Sequence, residues 1–185
     1  MDKKTKIGIL TISGKPIHCA HQYIINFASK ENDRVILYVS LSDRKRNGEI
    51  TIYGEDMEKI WKDYLCDIMP PNVSITYGGS PIRQAYSMLG EESKSNSNKL
   101  YTIYGDPNDL AKNFSEKSLE KYAKNLYNNG LIRLHPLPRN ETVNISGTQM
   151  REFLKNGQKD LFLKYLPRGI DKEAIWEILQ KRLWV

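Results

Sequence analysis

Two short segments far apart in the chain carry the residue types of a phosphate clamp. Ser13-Gly14-Lys15-Pro16-Ile17-His18-Cys19-Ala20-His21 follows the apolar run Ile7 to Ile12, and Ile145-Ser146-Gly147-Thr148-Gln149-Met150-Arg151 opens a helical pattern near the C-terminal end. Together they offer histidines, a lysine, hydroxyls and an arginine around element ends that favour anions. The chemistry that suits such a set is chemistry on a nucleoside triphosphate.

In the first segment, Gly14 allows close backbone approach to a phosphate, and Pro16 stiffens the turn. His18 and His21 stand three apart at a helix start, so both side chains can point to one side and donate to phosphate oxygens, with Lys15 adding a point charge. The plain alternative is a pair of capping or surface histidines. Metal ligation needs three or four ligands, and no third stands nearby, so no protein-held metal is expected. Cys19 is either a thiol activated by the helix start or a core-packing side chain facing away from the histidines. In the second segment Ser146 is a good N-cap, and Gly147 and Thr148 leave free N–H groups in the first turn. Arg151, one turn on, can reach back to the same anion with a forked guanidinium; otherwise it is a solvated residue on an ordinary capped helix.

The elements that must position these residues alternate between strand and helix. Strand-like runs are expected at Lys6 to Ile12, Arg34 to Ser40, Val73 to Tyr77, Leu100 to Tyr104 and Leu131 to His135. Helical patterns cover Ala20 to Ser29, Glu55 to Ile68, Pro81 to Leu89, Glu116 to Tyr127, Gly147 to Lys155, Lys159 to Tyr165 and Lys172 to Leu183. Glu91 to Asn98 reads as an exposed loop. This alternation predicts a Rossmann-like α/β fold: an open parallel five-stranded sheet with helices on both faces and a helical C-terminal end. Ligands bind such sheets beyond the carboxyl ends of the strands, where the first segment lies.

Composition narrows the classes. The 185 residues suit one domain spanning 1–185, with ordinary proportions of hydrophobic (39%) and charged (27%) residues. Met1 to Lys6 runs into a strand without the apolar stretch of a signal peptide, so a cytoplasmic protein is expected. Two cysteines, Cys19 and Cys66, suggest neither a disulfide framework nor a zinc site. A net charge of +6 fits an anionic small molecule as well as nucleic acid.

Secondary candidates sit at the ends of the other strands. Ser42-Asp43-Arg44-Lys45-Arg46 follows the second strand, and Arg44, Lys45 and Arg46 either bind an acceptor phosphate or form a solvated basic loop. Gly78-Gly79-Ser80-Pro81 follows the third, and Gly79 and Ser80 either admit a ligand or serve the turn. Tyr104-Gly105-Asp106-Pro107 follows the fourth and makes Gly105 and Asp106 candidates for nucleotide contact; Arg133 and His135 on the fifth are weaker ones.

His18-x-x-His21 after Pro16 resembles the T/HxGH signature of the nucleotidyltransferase superfamily, and Ile145 to Arg151 resembles its ISGTxxR signature. Order and separation also match, so the resemblance covers almost the whole chain. It is most similar to the compact cytidylyltransferase-like proteins of large tailed bacteriophages, which would place it in a host cytoplasm. Ala20 departs from the usual glycine, and Ile12-Ser13-Gly14 departs from the adenylyltransferase lead-in, which bears on base and acceptor more than on reaction type.

The resemblance implies transfer of AMP or CMP from ATP or CTP to a small phosphorylated acceptor, such as nicotinamide mononucleotide, with release of pyrophosphate. His18, His21 and Lys15 would meet the α- and β-phosphates, and Ser146, Gly147, Thr148 and Arg151 the β- and γ-phosphates. Ser13, Gly14, Gly105 and Asp106 would complete the nucleotide site, and Mg²⁺ would be held by the nucleotide and water. Two other classes are a non-catalytic nucleotide-binding or sensing module and, ranked last for want of base-reading elements, a nucleic-acid binder.

Overall fold

The computed structural model describes residues 4–95, 97–138 and 144–183. Met1 to Lys3 of the N-terminal segment and Asn96 of the expected 91–98 loop lie outside them. Five strands, β1 (Thr5–Ile12), β2 (Arg34–Ser40), β3 (Val73–Gly78), β4 (Lys99–Gly105) and β5 (Ile132–Pro136), form one sheet in the order β3-β2-β1-β4-β5. Every neighbouring pair is parallel. The sheet is flanked by helices on both faces, the Rossmann-like arrangement expected.

β1 is central because both of its faces are apolar. Strand side chains alternate between faces. Ile7 and Ile9 join one core with Tyr101 and Ile103, whereas Leu10 and Ile12 join the other with Leu37 and Val39. Ile9 lies level with Ile36 on one side and Ile103 on the other, which fixes the register through a row of apolar side chains.

The helices are α1 (Cys19–Glu31), α2 (Gly54–Ile60), α3 (Pro81–Ser93), α4 (Pro107–Asn113), α5 (Glu116–Tyr122), α6 (Lys124–Asn128), α7 (Gly147–Lys155), α8 (Lys159–Tyr165) and α9 (Lys172–Gln180). Buried residues of α1, α2 and α7 to α9, among them Met150, Leu154, Phe162 and Ile175, fill the first core; those of α3 to α6 fill the second. Among the described residues no helix is long and apolar enough to cross a membrane.

Four local expectations change. The helix from 54 continues past Ile60 as a π-helical turn (Trp61–Leu65) and a 3-10 turn (Cys66–Ile68), so its expected extent is right but its geometry is not uniform. α3 runs on to Ser93, shortening the expected loop. The expected 116–127 helix breaks at Ala123 (φ −139°, ψ 40°), because the Ser93 hydroxyl accepts the N–H groups of Asn125 (3.0 Å) and Leu126 (3.4 Å) and starts α6 separately. α4 was not expected, although Asp106-Pro107 is a cap followed by a first-turn proline; the Asp106 carboxylate accepts from the Asn108 N–H at 2.9 Å.

The segment from Leu41 to Tyr53 is pinned where it enters α2. The Gly54 N–H donates to Asp43 Oδ1 at 2.8 Å, and a Cβ at position 54 would overlap the Leu41 carbonyl oxygen, a backbone atom with no room to yield. Gly54→Ala is therefore expected to lower the free energy of unfolding by about 3 kcal/mol. Urea denaturation followed by circular dichroism checks this; a loss below about 0.5 kcal/mol would show that the segment shifts freely.

Candidate active site

β1 ends in a turn that Gly14 makes with φ +53°, a value that disfavours any side chain. The next residue, Lys15, is buried at 5% exposure, and its ammonium donates to the Ser40 carbonyl at the end of β2 at 2.7 Å. Burial pulls its pKa down to about 8, against the opposing pull of the Asp43 carboxylate. The lysine thus ties two strand ends together and holds a positive charge at neutral pH that is lost just above it.

His18 and His21 are brought together at the start of α1, their rings stacked with centroids 3.8 Å apart. The His18 backbone N–H donates to Nδ1 of His21 at 3.2 Å. That bond requires a lone pair on Nδ1, so the neutral ring carries its proton on Nε2. Burial, and then the neighbouring His18, depress the His21 pKa well below the ordinary value. The ring is therefore a neutral donor held in one tautomer by the helix start. Cys19, between them, is half-buried against the first core, and burial raises its thiol pKa, as suits packing rather than nucleophilic attack.

The second segment folds as its sequence suggests. Ser146 Oγ accepts the Gln149 N–H at 3.2 Å, and the Gln149 side chain accepts the Ser146 N–H at 3.0 Å, a reciprocal cap. Arg151 departs from the expectation of a free fork or a solvated residue. It is 5% exposed, and Nη1 donates to the Lys15 carbonyl at 2.7 Å while Nη2 donates to Thr148 Oγ1 at 3.0 Å. Its Nε lies 2.9 Å from Glu49, off the N–H direction, making an ion pair rather than a hydrogen bond. Arg151 therefore joins the two segments directly. A Cβ on Gly147 would stand 3.0 Å from its Nη1, so a side chain there would press the guanidinium to shift by a few tenths of an ångström.

Between β2 and α2 a small hairpin carries the basic residues. Arg44 and Ile52 exchange both backbone hydrogen bonds, and the tip turns at Gly48, φ +81°, with the Glu49 N–H donating to the Arg46 carbonyl at 3.2 Å. Arg44 grips Glu49 through Nε (3.1 Å) and Nη2 (3.3 Å). Partial burial pushes the Glu49 carboxyl up, but Arg151 and Arg44 outweigh it and hold it below the usual carboxylate value. Glu49 has no counterpart among the sequence candidates; Asn47-Gly48 beside it is a turn signal, but the charged residues before that turn do not read as a strand.

These parts border a cleft of about 580 Å³ at the carboxyl ends of β1 and β4, where the strand order reverses. Its walls include Ser13, Gly14, Lys15, His18, His21, Arg44, Arg46, Gly105, Asp106, Ser146, Gly147, Thr148 and Arg151. Three expected acceptor contacts fall outside. Lys45 turns to Asp43 (3.2 Å) and the Tyr53 ring, against which Arg182 also packs at 4.4 Å. Gly79 has its carbonyl within 3.4 Å of the Ser42 hydroxyl, and Ser80 caps α3 through the Arg83 N–H, leaving Pro81 and Ile82 to reach the cleft instead. His135 packs on Tyr104 and Phe27. Among the described residues no three His, Cys, Asp or Glu side chains gather as metal ligands.

No family model and no curated protein sequence matches the chain. Solved structures do. A Vibrio parahaemolyticus protein described as a nicotinate-nucleotide adenylyltransferase superposes with a TM-score of 0.60 at 19% identity, covering 95% of this chain and 98% of its own. Nicotinic acid mononucleotide adenylyltransferase of Plasmodium falciparum, in complex with NaAD, gives 0.63 at 13% identity, covering 96% and 95%. Thermotoga maritima TmcAL bound with alpha-thio ATP gives 0.53 at 14% identity, covering 97% of this chain and 56% of that one. At these identities the likeness is one of fold.

The depressed His21 pKa fixes a pH response. Below about pH 6.5 the unfolded chain takes up a proton that folded His21 refuses, so stability falls as pH falls and is flat for this group above pH 7. Unfolding free energy is expected to drop by about 1 kcal/mol between pH 7 and 5.5, and Glu-like pKa values lie too low to mimic it. Urea titrations at both pH values check this; an equal drop in His21→Gln would assign it to another group.

Proposed function

We propose that the protein is a nucleotidyltransferase that moves a nucleoside monophosphate from a triphosphate to a small phosphorylated acceptor and releases pyrophosphate. The observation that carries this reading is the Arg151 to Lys15 contact, which makes one cleft of two segments 136 residues apart. The fold-level neighbours, adenylyltransferases among them, favour ATP over CTP as donor and a pyridine mononucleotide as the first acceptor to try.

An acceptor phosphate oxygen attacks the α-phosphorus in line; the new P–O bond forms as the bond to the β-phosphate oxygen breaks, and pyrophosphate carries away the electron pair. Catalysis on this reading is positioning and charge stabilisation. His21 offers its Nε2–H to an α-phosphate oxygen, with His18 stacked beside it on the adjoining phosphate. Lys15, which keeps N–H groups beyond the one given to Ser40, supplies charge. Ser146, Gly147 and Thr148 present the α7 N-terminus to the β- and γ-phosphates, with Arg44 and Arg46 opposite. Ser13 and Gly14 flank the phosphates, and Gly105 and Asp106 stand where a base or ribose would lie. Mg²⁺ would enter on phosphate oxygens and water, as befits an ion that keeps its hydration.

A non-catalytic sensing module is the second reading, favoured by the engagement of Arg151 with protein groups rather than open space. The two separate by pyrophosphate release, assayed with each ribonucleoside triphosphate and phosphorylated acceptors that include nicotinate and nicotinamide mononucleotides. Turnover is expected with one pair and is expected to fall by about 10²-fold or more in His21→Ala with the fold intact. Nucleotide binding without pyrophosphate release from any pair would favour the sensor.

Lys15 gives a second test. It is charged below its pKa of about 8 and neutral above, so kcat/KM for the nucleotide should fall as pH rises through 8. Lys15→Met should lower kcat/KM at pH 7 and abolish that dependence. A wild-type profile flat from pH 7 to 9 would remove Lys15 from the phosphate site.

A further inference from the structure

The tip of the 44–52 hairpin meets α7 through Glu49. Its carboxylate lies 2.9 Å from Arg151 Nε and 3.0 Å from Arg44 Nη2, and Arg44 Nε donates to it at 3.1 Å. A second, weaker tether joins the same surfaces, Lys155 Nζ to the Gly48 carbonyl at 3.5 Å. Arg44 and Arg151 line the cleft; Glu49 does not. The carboxylate therefore stands beside the two guanidiniums rather than in the space that a ligand would take.

Two guanidinium groups facing one cleft repel each other: burial lowers the Arg151 pKa, and the Arg44 charge lowers it further. Arg151 is fixed by the Lys15 carbonyl and Thr148, whereas every side-chain hydrogen bond of Arg44 among the described residues goes to Glu49. Without the carboxylate, nothing would offset the repulsion or hold Arg44, a long side chain on an exposed hairpin, at the cleft wall. With it, the pair is set in place before any ligand arrives, and the ordering cost is met by the fold.

We propose that Glu49 is a positioning residue that makes Arg44 and Arg151 act as one binding pair for a polyphosphate, with the hairpin as a third arm of the phosphate site. The inference rests on the phosphate-binding reading of the cleft and adds to it how the basic hairpin is recruited. The ligand chemistry is a chain of phosphates, either the tail of a nucleoside triphosphate or free pyrophosphate.

The test is calorimetric titration of inorganic tripolyphosphate, without metal, into wild type, Glu49→Gln, Glu49→Asp, Arg44→Ala and the double variant Glu49→Gln/Arg44→Ala. Thermal melts check that each is folded. Glu49→Gln is expected to weaken binding about tenfold, as loss of a charge-assisted pair would, and Glu49→Asp to recover most of that loss. Arg44→Ala should weaken binding by a similar factor. In its background Glu49→Gln should cost less than about threefold, because the residue acts through a partner already gone. Unchanged or tighter binding in Glu49→Gln would overturn the proposal, tighter binding meaning that the carboxylate competes with phosphate. So would losses that multiply in the double variant. A wild type that binds neither tripolyphosphate nor any nucleoside triphosphate would overturn the phosphate reading itself; one that binds while the Glu49 variants match it overturns only the role of Glu49.

Discussion

One hydrogen bond, from Arg151 Nη1 to the Lys15 carbonyl, constrains everything around it. It is short, buried and charge-assisted, the kind of contact whose removal strands a guanidinium away from water at a cost of several kcal/mol. For it to form, α7 must lie with its N-terminus against the loop that leaves β1, an approach that the bare Cα of Gly147 eases. Met150 and Leu154 set α7 in that position by burying their side chains in the core shared with Leu10, Ile12 and Ile17. Hydrophobic packing thus supplies the force, and the arginine supplies the alignment.

The same region concentrates charge. Lys15 and Arg151 are almost fully buried, and Arg44 and Arg46 border the same cleft. The fold offsets this with two carboxylates, Asp43 and Glu49, and with the carbonyls of Ser40 and Lys15. These partners hold Lys15 and Arg151 in place at the cleft wall. On the proposed reading, a cleft whose donors are already held in place would give up little on receiving a phosphate chain.

Much of this was legible in the sequence, for identifiable reasons. The central strand showed as an apolar run because both of its faces are covered, and the parallel topology followed from alternation of strand and helix. His18 and His21 could be paired because three residues at a helix start return to one side. Arg151 could be placed near the first segment, but not its attachment to the Lys15 carbonyl, since backbone acceptors leave no mark in a sequence. Glu49 carries no signal of its own in the sequence, because it follows the cations of Arg44 to Arg46 in what reads as a basic loop. The break at Ala123 depends on the hydroxyl of Ser93, on a different helix, and local periodicity cannot report that.

The separation of the two segments also matters to a chain still being made. Translation at ordinary rates puts on the order of ten seconds between Lys15 and Arg151. Until α7 follows, the loop after β1 lacks its strut, and Leu10, Ile12 and Val39 face no Met150, Leu154 or Phe162. A ribosome that pauses in that interval holds a sheet whose first core is covered by α1 and α2 but not yet by α7 to α9, and the apolar surface left open makes it a client for chaperones. Only when the last helices emerge are the apolar face and the cleft between the two segments both complete.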